Sequence, residues 1–123
     1  MSPNDEAHAT YLPKVYLGFR EVYPGVAAAY DALAQACHAA GPLKVREQRL
    51  VKLGIAIGLS SEGAVRSHVR RGLEEGIRAD ALLHAIALAV PTAGFPATAA
   101  AYGWAHDVLA AAGAQDATEG ATR

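Results

Sequence analysis

The chain has 123 residues and a mass of 12.7 kDa, enough for one domain with a small hydrophobic core. Its net charge of −1 argues against binding nucleic acid by phosphate neutralisation, and its one cysteine excludes an intrachain disulfide, a CxxC redox pair and a thiolate-rich metal site. Apolar residues make up 52% of the chain, more than a small monomer buries easily, so we expect self-association.

Both ends of the chain differ in composition from its middle. Residues 1–10 are polar and lack the apolar segment of a secretory signal, so we expect a disordered N-terminus and a cytoplasmic protein. Residues 113–123 are small and polar and predict a disordered tail. Residues 11–112 show helical periodicity and no strand-like alternation, which predicts a single all-α domain of about six helices.

Proline and glycine delimit three helices in the first half of the chain, predicted at Tyr11–Val22, Pro24–Ala39 and Lys44–Leu59. The second carries an apolar stripe at spacings i, i+4, i+7 and i+11, formed by Val26, Tyr30, Leu33 and Cys37. The segment LVKLGIAIGL of the third helix is apolar nearly all round, which predicts burial in a core or in a subunit interface. Gly54 and Gly58, one turn apart, would let another backbone approach closely.

Three further helices are predicted in the second half, from Ser60 or Ser61 to Gly76, from Ala79 to Val90 and from Ala97 to Ala112. Residues 81–105 contain no lysine, arginine or acidic residue. The corner PTAGFP interrupts that run, which favours two buried helices over one membrane-spanning helix, so we expect no membrane partner. Phe95 in the corner is predicted to fill the core or a pocket wall.

His68 lies in the middle of the fourth predicted helix. The residues on its face are Ser61, Ala64, Val65, Arg71 and Gly72, of which all but Arg71 are small or apolar. The imidazole is therefore predicted to point inward, while Arg66 and Arg70 point mostly outward. From the residues alone, an inward histidine is more often a hydrogen-bonded core residue than a catalytic one.

Four segments between Tyr23 and Leu109 resemble the carboxymuconolactone decarboxylase superfamily, which includes the alkylhydroperoxidase-D-type peroxidases. They are YPGVAAAYDAL, GPLKVREQRLVKLGIAIG, SEGAVRSHVRRGLEEGI and TAGFPATAAAYGWAHDVL, and the region from Tyr23 to Leu109 in which they follow one another is about seventy per cent of the chain. The resemblance implies an all-helical fold, a homo-oligomer that is a trimer or a hexamer, and a site lined from two subunits.

The peroxidase branch of this superfamily uses a glutamate, a CxxC pair and a histidine four residues after the second cysteine. Counted back from His68, the cysteines fall on Ser61 and Ala64 and the glutamate falls on Arg49. Without thiols there is neither a peroxidatic nucleophile nor a resolving partner, so we expect a branch that lacks dithiol peroxidase activity.

The decarboxylase branch works without cysteines, and the resemblance therefore implies a lyase. Loss of carbon dioxide leaves an enolate-like anion, for which His68 would be the general acid or base and Arg49 would bind the substrate carboxylate. Glu47 is a second candidate, although a first-turn acid more often lies in solvent and favours the helix start. The other candidate substrate contacts are Ser61, Ala64, Glu62, His84 and Phe95. No histidine pair lies at i, i+3 or i, i+4, so we expect no metal, and no other cofactor.

Two functions are open at this point. The first is a cofactor-free enzyme that carries out proton transfer or decarboxylation on a small carboxylated or lactone-like substrate. The second is a non-catalytic, thiol-less relative of the peroxidases that binds a small anionic ligand, or a partner, as a scaffold. A solvent-reachable His68 with a charged neighbour would favour the enzyme.

Overall fold

A computed structural model of the chain describes residues 14–113, all of whose regular elements are helices. Helix α1 spans residues 14–22, and it is followed by α2 (Pro24–Ala39), α3 (Val45–Gly58), α4 (Glu62–Glu74), α5 (Ala79–Ala87), α6 (Val90–Ala93) and α7 (Phe95–Ala111). The predicted all-α class is therefore confirmed. Residues 1–10 and the tail beyond Gly113, both expected to be disordered, lie outside the described residues. The start of the predicted first helix lies outside them too.

The described chain falls into two compact units, residues 14–43 and residues 44–113, so one domain over residues 11–112 stays a prediction. In the first unit, α2 begins with Pro24 in its first turn, as predicted. Arg20 of α1 makes a bidentate ion pair with Asp31 of α2 and donates a hydrogen bond to the Tyr16 hydroxyl at 3.0 Å. Ala27 is the buried residue of α2, so the apolar stripe predicted for this helix is exposed.

The second unit holds the hydrophobic core. Helices α4 and α5 each pack against both α3 and α7. The largest fully buried side chains are contributed by all four helices and are Leu53, Ile57, Val65, Val69, Leu82, Ile86 and Leu109. Leu53, Ala56 and Ile57 of the LVKLGIAIGL segment are in this core, while Val51, Ile55 and Leu59 of the same segment are exposed. No helix of residues 14–113 is long and apolar enough to cross a membrane.

Helices α3 and α4 both end in a left-handed residue that lets the chain reverse. Gly76 has φ +88°, its N–H donates to Leu73 O, and the N–H of Ile77 donates to Gly72 O at 2.9 Å. These bonds form a Schellman motif, so the predicted glycine stop is confirmed. Ser60 takes the same place after α3 with φ 52°, a conformation that is strained for a residue with a Cβ.

The PTAGFP segment is more helical than predicted. Pro91 lies in the four-residue α6, and α7 begins at Phe95 rather than at Ala97. Both prolines lie in a first helical turn, where the missing N–H has no intrahelical partner to lose. The prediction that Phe95 fills the core is wrong, because its side chain is 69% exposed.

Candidate functional site

Arg49 and His68 are brought together where α3 packs against α4. Arg49 lies in the second turn of α3 and is only 8% exposed. The arginine stem lies beside Gly72 of α4, one turn after His68, where a Cβ would be in ordinary contact with Arg49 Cγ at 3.6 Å. The close packing at this glycine is with α5, because the same Cβ would lie 2.9 Å from Leu82 Cδ2.

The Arg49 guanidinium holds two partners at once. It donates to both oxygens of Glu75, from Nε to Oε1 at 2.9 Å and from Nη2 to Oε2 at 2.7 Å. Its Nη1 lies 2.7 Å from Nδ1 of His68. We call these three side chains the His68 cluster. A protonated guanidinium has hydrogen-bond donors and no acceptor. Nδ1 of His68 must therefore accept the hydrogen bond from Arg49, and it carries no proton.

The second ring nitrogen of His68 is left for other chemistry. With Nδ1 accepting from Arg49, the neutral ring carries its proton on Nε2. No group among residues 14–113 pairs with Nε2, whereas every buried polar side-chain atom in this part of the chain has a partner. Nε2–H therefore faces solvent and can donate to a small molecule.

The charges around His68 keep the ring neutral. Burial and, after it, the positive charges of Arg49, Lys52 and Arg71 together lower the pKa of His68 to about 4, against the opposing charge of Glu75. The hydrogen bonds from Arg49 also lower the pKa of Glu75, which stays ionised. At neutral pH the imidazolium is thus a minor form, and the site offers a neutral N–H donor.

Glu75 is the member of the cluster that sequence reasoning missed. Glu74 is the last residue of α4 and Glu75 is its C-cap, where a negative charge opposes the helix dipole, and the sequence of α4 alone does not point to a partner on another helix. In the structure Glu75 binds Arg49. Its spacing of seven residues from His68, two helical turns on the same face, was the available signal.

The other predicted residues of α3 and α4 lie outside the cluster. Glu47 is exposed and its Oε1 accepts from the backbone N–H of Lys44 at 2.9 Å, a contact that supports the helix start. Glu62 binds Arg66 Nε at 3.0 Å. Ser61 is the N-cap of α4 without a side-chain capping bond, and Ala64 is half-buried against the core.

Arg66 does not point outward as predicted. Its side chain is 11% exposed because it also donates to Asp107 of α7 at 3.2 Å. Arg70 is exposed, in agreement with the prediction. The helical wheel gave the direction of both side chains along α4 but could not show that α7 covers Arg66.

His84 lies in a separate open groove of about 600 Å³ between α3 and the α5–α6 segment, here called the α3–α5 groove. Ten of its lining residues are apolar or glycine, and these are Leu50, Val51, Gly54, Ile55, Gly58, Ala81, Ala85, Leu88, Ala89 and Ala93. The three polar residues are Arg46, His84 and Thr92. Neither His68 nor Phe95 lines this groove.

Comparison with known proteins gives the chain a family. The sequence profile of the Carboxymuconolactone decarboxylase family matches residues 24–107. The chain belongs to the carboxymuconolactone decarboxylase family. No curated protein and no solved structure matches it.

In this carboxymuconolactone decarboxylase family member, the peroxidase positions hold no thiol. Ser61, the N-cap of α4, and Ala64 of α4 stand where the superfamily resemblance places the cysteines, and Cys37 is exposed on α2. Residues 14–113 also contain no group of three histidine, cysteine or acidic side chains that could hold a metal ion.

Proposed function

We propose that the chain is a cofactor-free enzyme of the carboxymuconolactone decarboxylase type, which acts on a small carboxylated or lactone-like substrate at His68. Family membership supports a decarboxylase-like relative. The choice of His68 as the reacting residue is supported by the His68 cluster. A homo-oligomeric assembly, trimeric or hexameric as the resemblance implies, is part of the same proposal.

The observation that carries the proposal is the 2.7 Å contact between Arg49 Nη1 and His68 Nδ1. It fixes one tautomer and directs the single ring proton to Nε2. A neutral imidazole held in this way acts as an electrophile: it stabilises negative charge on a carbonyl oxygen by hydrogen bonding. This role differs from the imidazolium acid expected from an unperturbed histidine, because the pKa of His68 lies well below neutrality.

In the proposed reaction, the bond between the substrate carbon and its carboxylate breaks and carbon dioxide leaves. The electron pair of that bond remains on the substrate as an enolate, whose charge is delocalised onto the lactone carbonyl oxygen. His68 Nε2–H donates to this oxygen as the charge develops. Water then supplies the proton that ends on carbon, so His68 needs no net change of protonation.

The charge around the ring favours an anionic substrate. Glu75 compensates Arg49 through two hydrogen bonds, while Lys52 and Arg71 add positive potential at His68. Arg49 is therefore proposed to orient His68 rather than to bind the substrate carboxylate, since its Nε, Nη1 and Nη2 already donate within the cluster. This changes the role expected for Arg49 from the sequence.

The experiment measures release of carbon dioxide from a panel of carboxylated lactones by the wild type and by three variants. His68→Ala removes the donor and is expected to lower kcat by about 10²–10³-fold, the loss typical of one oxyanion donor. His68→Gln keeps an N–H donor and is expected to retain part of the rate. His106→Gln, which changes another half-buried histidine, is the matched control and is expected to keep the wild-type rate.

The results that contradict the proposal are equal activity of wild type and His68→Ala, or equal loss in His68→Gln and His68→Ala. The second result would assign His68 to proton transfer instead of hydrogen bonding.

The competing function is a non-catalytic ligand-binding scaffold. It is favoured by the α3–α5 groove, which is mostly apolar, has a volume of about 600 Å³ and does not include His68. The two functions differ in one measurement: a scaffold binds a carboxylated lactone, detected by calorimetry, and leaves it unchanged over hours. Turnover that disappears in His68→Ala would exclude the scaffold.

A further inference from the structure

Arg71 lies in the last turn of α4, between His68 and Glu75 on one face of the helix. It follows His68 by three residues and precedes Glu75 by four, and side chains at these spacings are neighbours. The residue is exposed to solvent. Its positive charge acts on both neighbours, since it lowers the pKa of His68 and that of Glu75. Arg71 and the Nε2–H group of His68 are therefore open to solvent on the same side of α4.

The guanidinium of Arg71 makes no hydrogen bond and no ion pair with any of residues 14–113. A glutamate four residues after an arginine is its usual partner on a helix, and Glu75 holds that position. Both Glu75 oxygens, however, accept from Arg49 across the contact between α3 and α4, at 2.9 Å and 2.7 Å. The engagement of Glu75 by Arg49 thus leaves a cation without an acidic partner in this part of the chain, one turn from His68.

The charges that act on the His68 ring are not balanced. Three of them are positive and belong to Arg49, Lys52 and Arg71, whereas one carboxylate of the described residues opposes them. Arg49 already donates from Nε, Nη1 and Nη2 within the His68 cluster. The guanidinium of Arg71 keeps its planar pair of donors for another acceptor, and this fork matches the two oxygens of a carboxylate. The site therefore combines a neutral N–H donor with a cation whose donors can reach a ligand.

We propose that Arg71 is the specificity-determining residue of this site and binds the carboxylate of a substrate whose carbonyl oxygen accepts from His68 Nε2–H. This inference rests on the function proposed for His68 and adds the group that selects the substrate. Side chains one helical turn apart have Cβ atoms about 5–6 Å apart, which is the scale of a lactone ring that carries a carboxylate. A carboxylated lactone can then contact both groups at once, whereas its ester keeps the carbonyl contact and loses the one with Arg71.

The experiment measures binding rather than turnover, with a γ-butyrolactone carboxylate and its methyl ester as probes. Calorimetry gives the two dissociation constants, and nitrogen-15 NMR of His68 Nε2 shows whether each probe reaches the ring. The wild type is expected to bind the carboxylate about tenfold more tightly than the ester, the gain from one charge-assisted pair at an exposed site. Both probes are expected to shift the Nε2 signal. Arg71→Gln is expected to bind both probes with the affinity that the wild type has for the ester.

Two variants separate this contact from a general effect of charge. Arg70→Gln is the matched control, because Arg70 is the adjacent exposed arginine of α4 and its loss changes the net charge equally. It is expected to weaken carboxylate binding by less than about twofold, through screened attraction alone. Arg71→Lys keeps the charge without the planar fork and is expected to lie between wild type and Arg71→Gln. Equal losses in Arg70→Gln and Arg71→Gln would overturn the proposal, and so would a carboxylate that binds no better than the ester or leaves the Nε2 signal unshifted.

Turnover distinguishes a failure of this inference from a failure of the function proposed for His68. In any decarboxylation that the wild type carries out, Arg71→Gln is expected to raise KM about tenfold and to keep kcat, whereas His68→Ala lowers kcat. A rate that depends on His68, with an unchanged KM in Arg71→Gln, would overturn the role of Arg71 and leave that of His68 intact. Carboxylate binding that depends on Arg71, without release of carbon dioxide from any lactone, would support the Arg71 contact and contradict the enzyme.

Discussion

The low pKa of His68 predicts that acid destabilises the fold well above the range in which carboxylates titrate. In the folded chain the pKa is about 4, against 6.5 for an unperturbed histidine. Between these values the unfolded chain binds about one proton more at this position, so stability is complete above pH 6.5 and is lost as the pH falls towards 4. Replacing His68 by Gln removes this proton linkage.

The expected size follows from the two pKa values. Linkage between pH 7 and pH 5 gives about 2 kcal/mol as an upper limit, and solvent screening of a half-buried ring reduces this to about 1 kcal/mol. The carboxylates with lowered pKa values, Asp31, Glu75 and Asp80, lose their contribution only below their unfolded values of 3.8 to 4.5. They therefore do not mask the effect.

The assay is urea unfolding, followed by circular dichroism, of wild type and His68→Gln at pH 7 and pH 5 and at one protein concentration. The wild type is expected to lose about 1 kcal/mol more than the variant between the two pH values. Histidines common to both proteins cancel in this difference. An identical pH dependence of the two proteins would refute the burial and charge environment described for His68.

Three further substitutions test the site and its supports. Glu75→Gln is expected to lower the pKa of His68 further, because Glu75 is the one charge at the ring that raises it, and to lower the free energy of unfolding by about 1–2 kcal/mol through the weaker contact with Arg49. NMR titration measures the pKa and urea unfolding measures the stability, and the control Glu74→Gln is expected to leave both unchanged. Ser60→Gly is expected to raise the free energy of unfolding by about 1 kcal/mol by relieving the left-handed backbone at φ 52°, and a lower melting temperature would contradict this. Gly72→Ala is expected to lower it by about 1–2 kcal/mol, since the new Cβ would lie 2.9 Å from Leu82 Cδ2, whereas Gly63→Ala, in open space, is expected to raise it by about 0.5–1 kcal/mol; the same sign for both would show that Gly72 is not close-packed.

The helices were predictable because local chemistry determines where they begin and end. Pro24 starts α2 and Gly76 ends α4, and both effects act within a few residues of the chain. The PTAGFP segment was harder, since a proline is compatible both with a loop and with the first turn of a helix. In the folded chain, each proline lies in the first turn of a helix, and Gly94 separates these two helices, α6 and α7.

The His68 cluster was only half predictable. Arg49 was found as a neighbour of His68 because the superfamily spacing placed it at a functional position. Its partner Glu75 was not predicted, since a helical wheel describes one helix and does not show a side chain that reaches across from another. The long arginine joins positions 26 residues apart in sequence, and only the packing of α3 on α4 shows it.

The central claim is that His68 is neutral and carries its proton on Nε2. Nitrogen-15 NMR of the ring, recorded from pH 8 to pH 4 on the folded protein, tests it most directly, with His68→Gln used to assign the signals. The account predicts an unprotonated Nδ1 and a protonated Nε2 throughout neutral pH, with titration centred near pH 4. A proton on Nδ1 at neutral pH, or a titration near the ordinary value of 6.5, would contradict it.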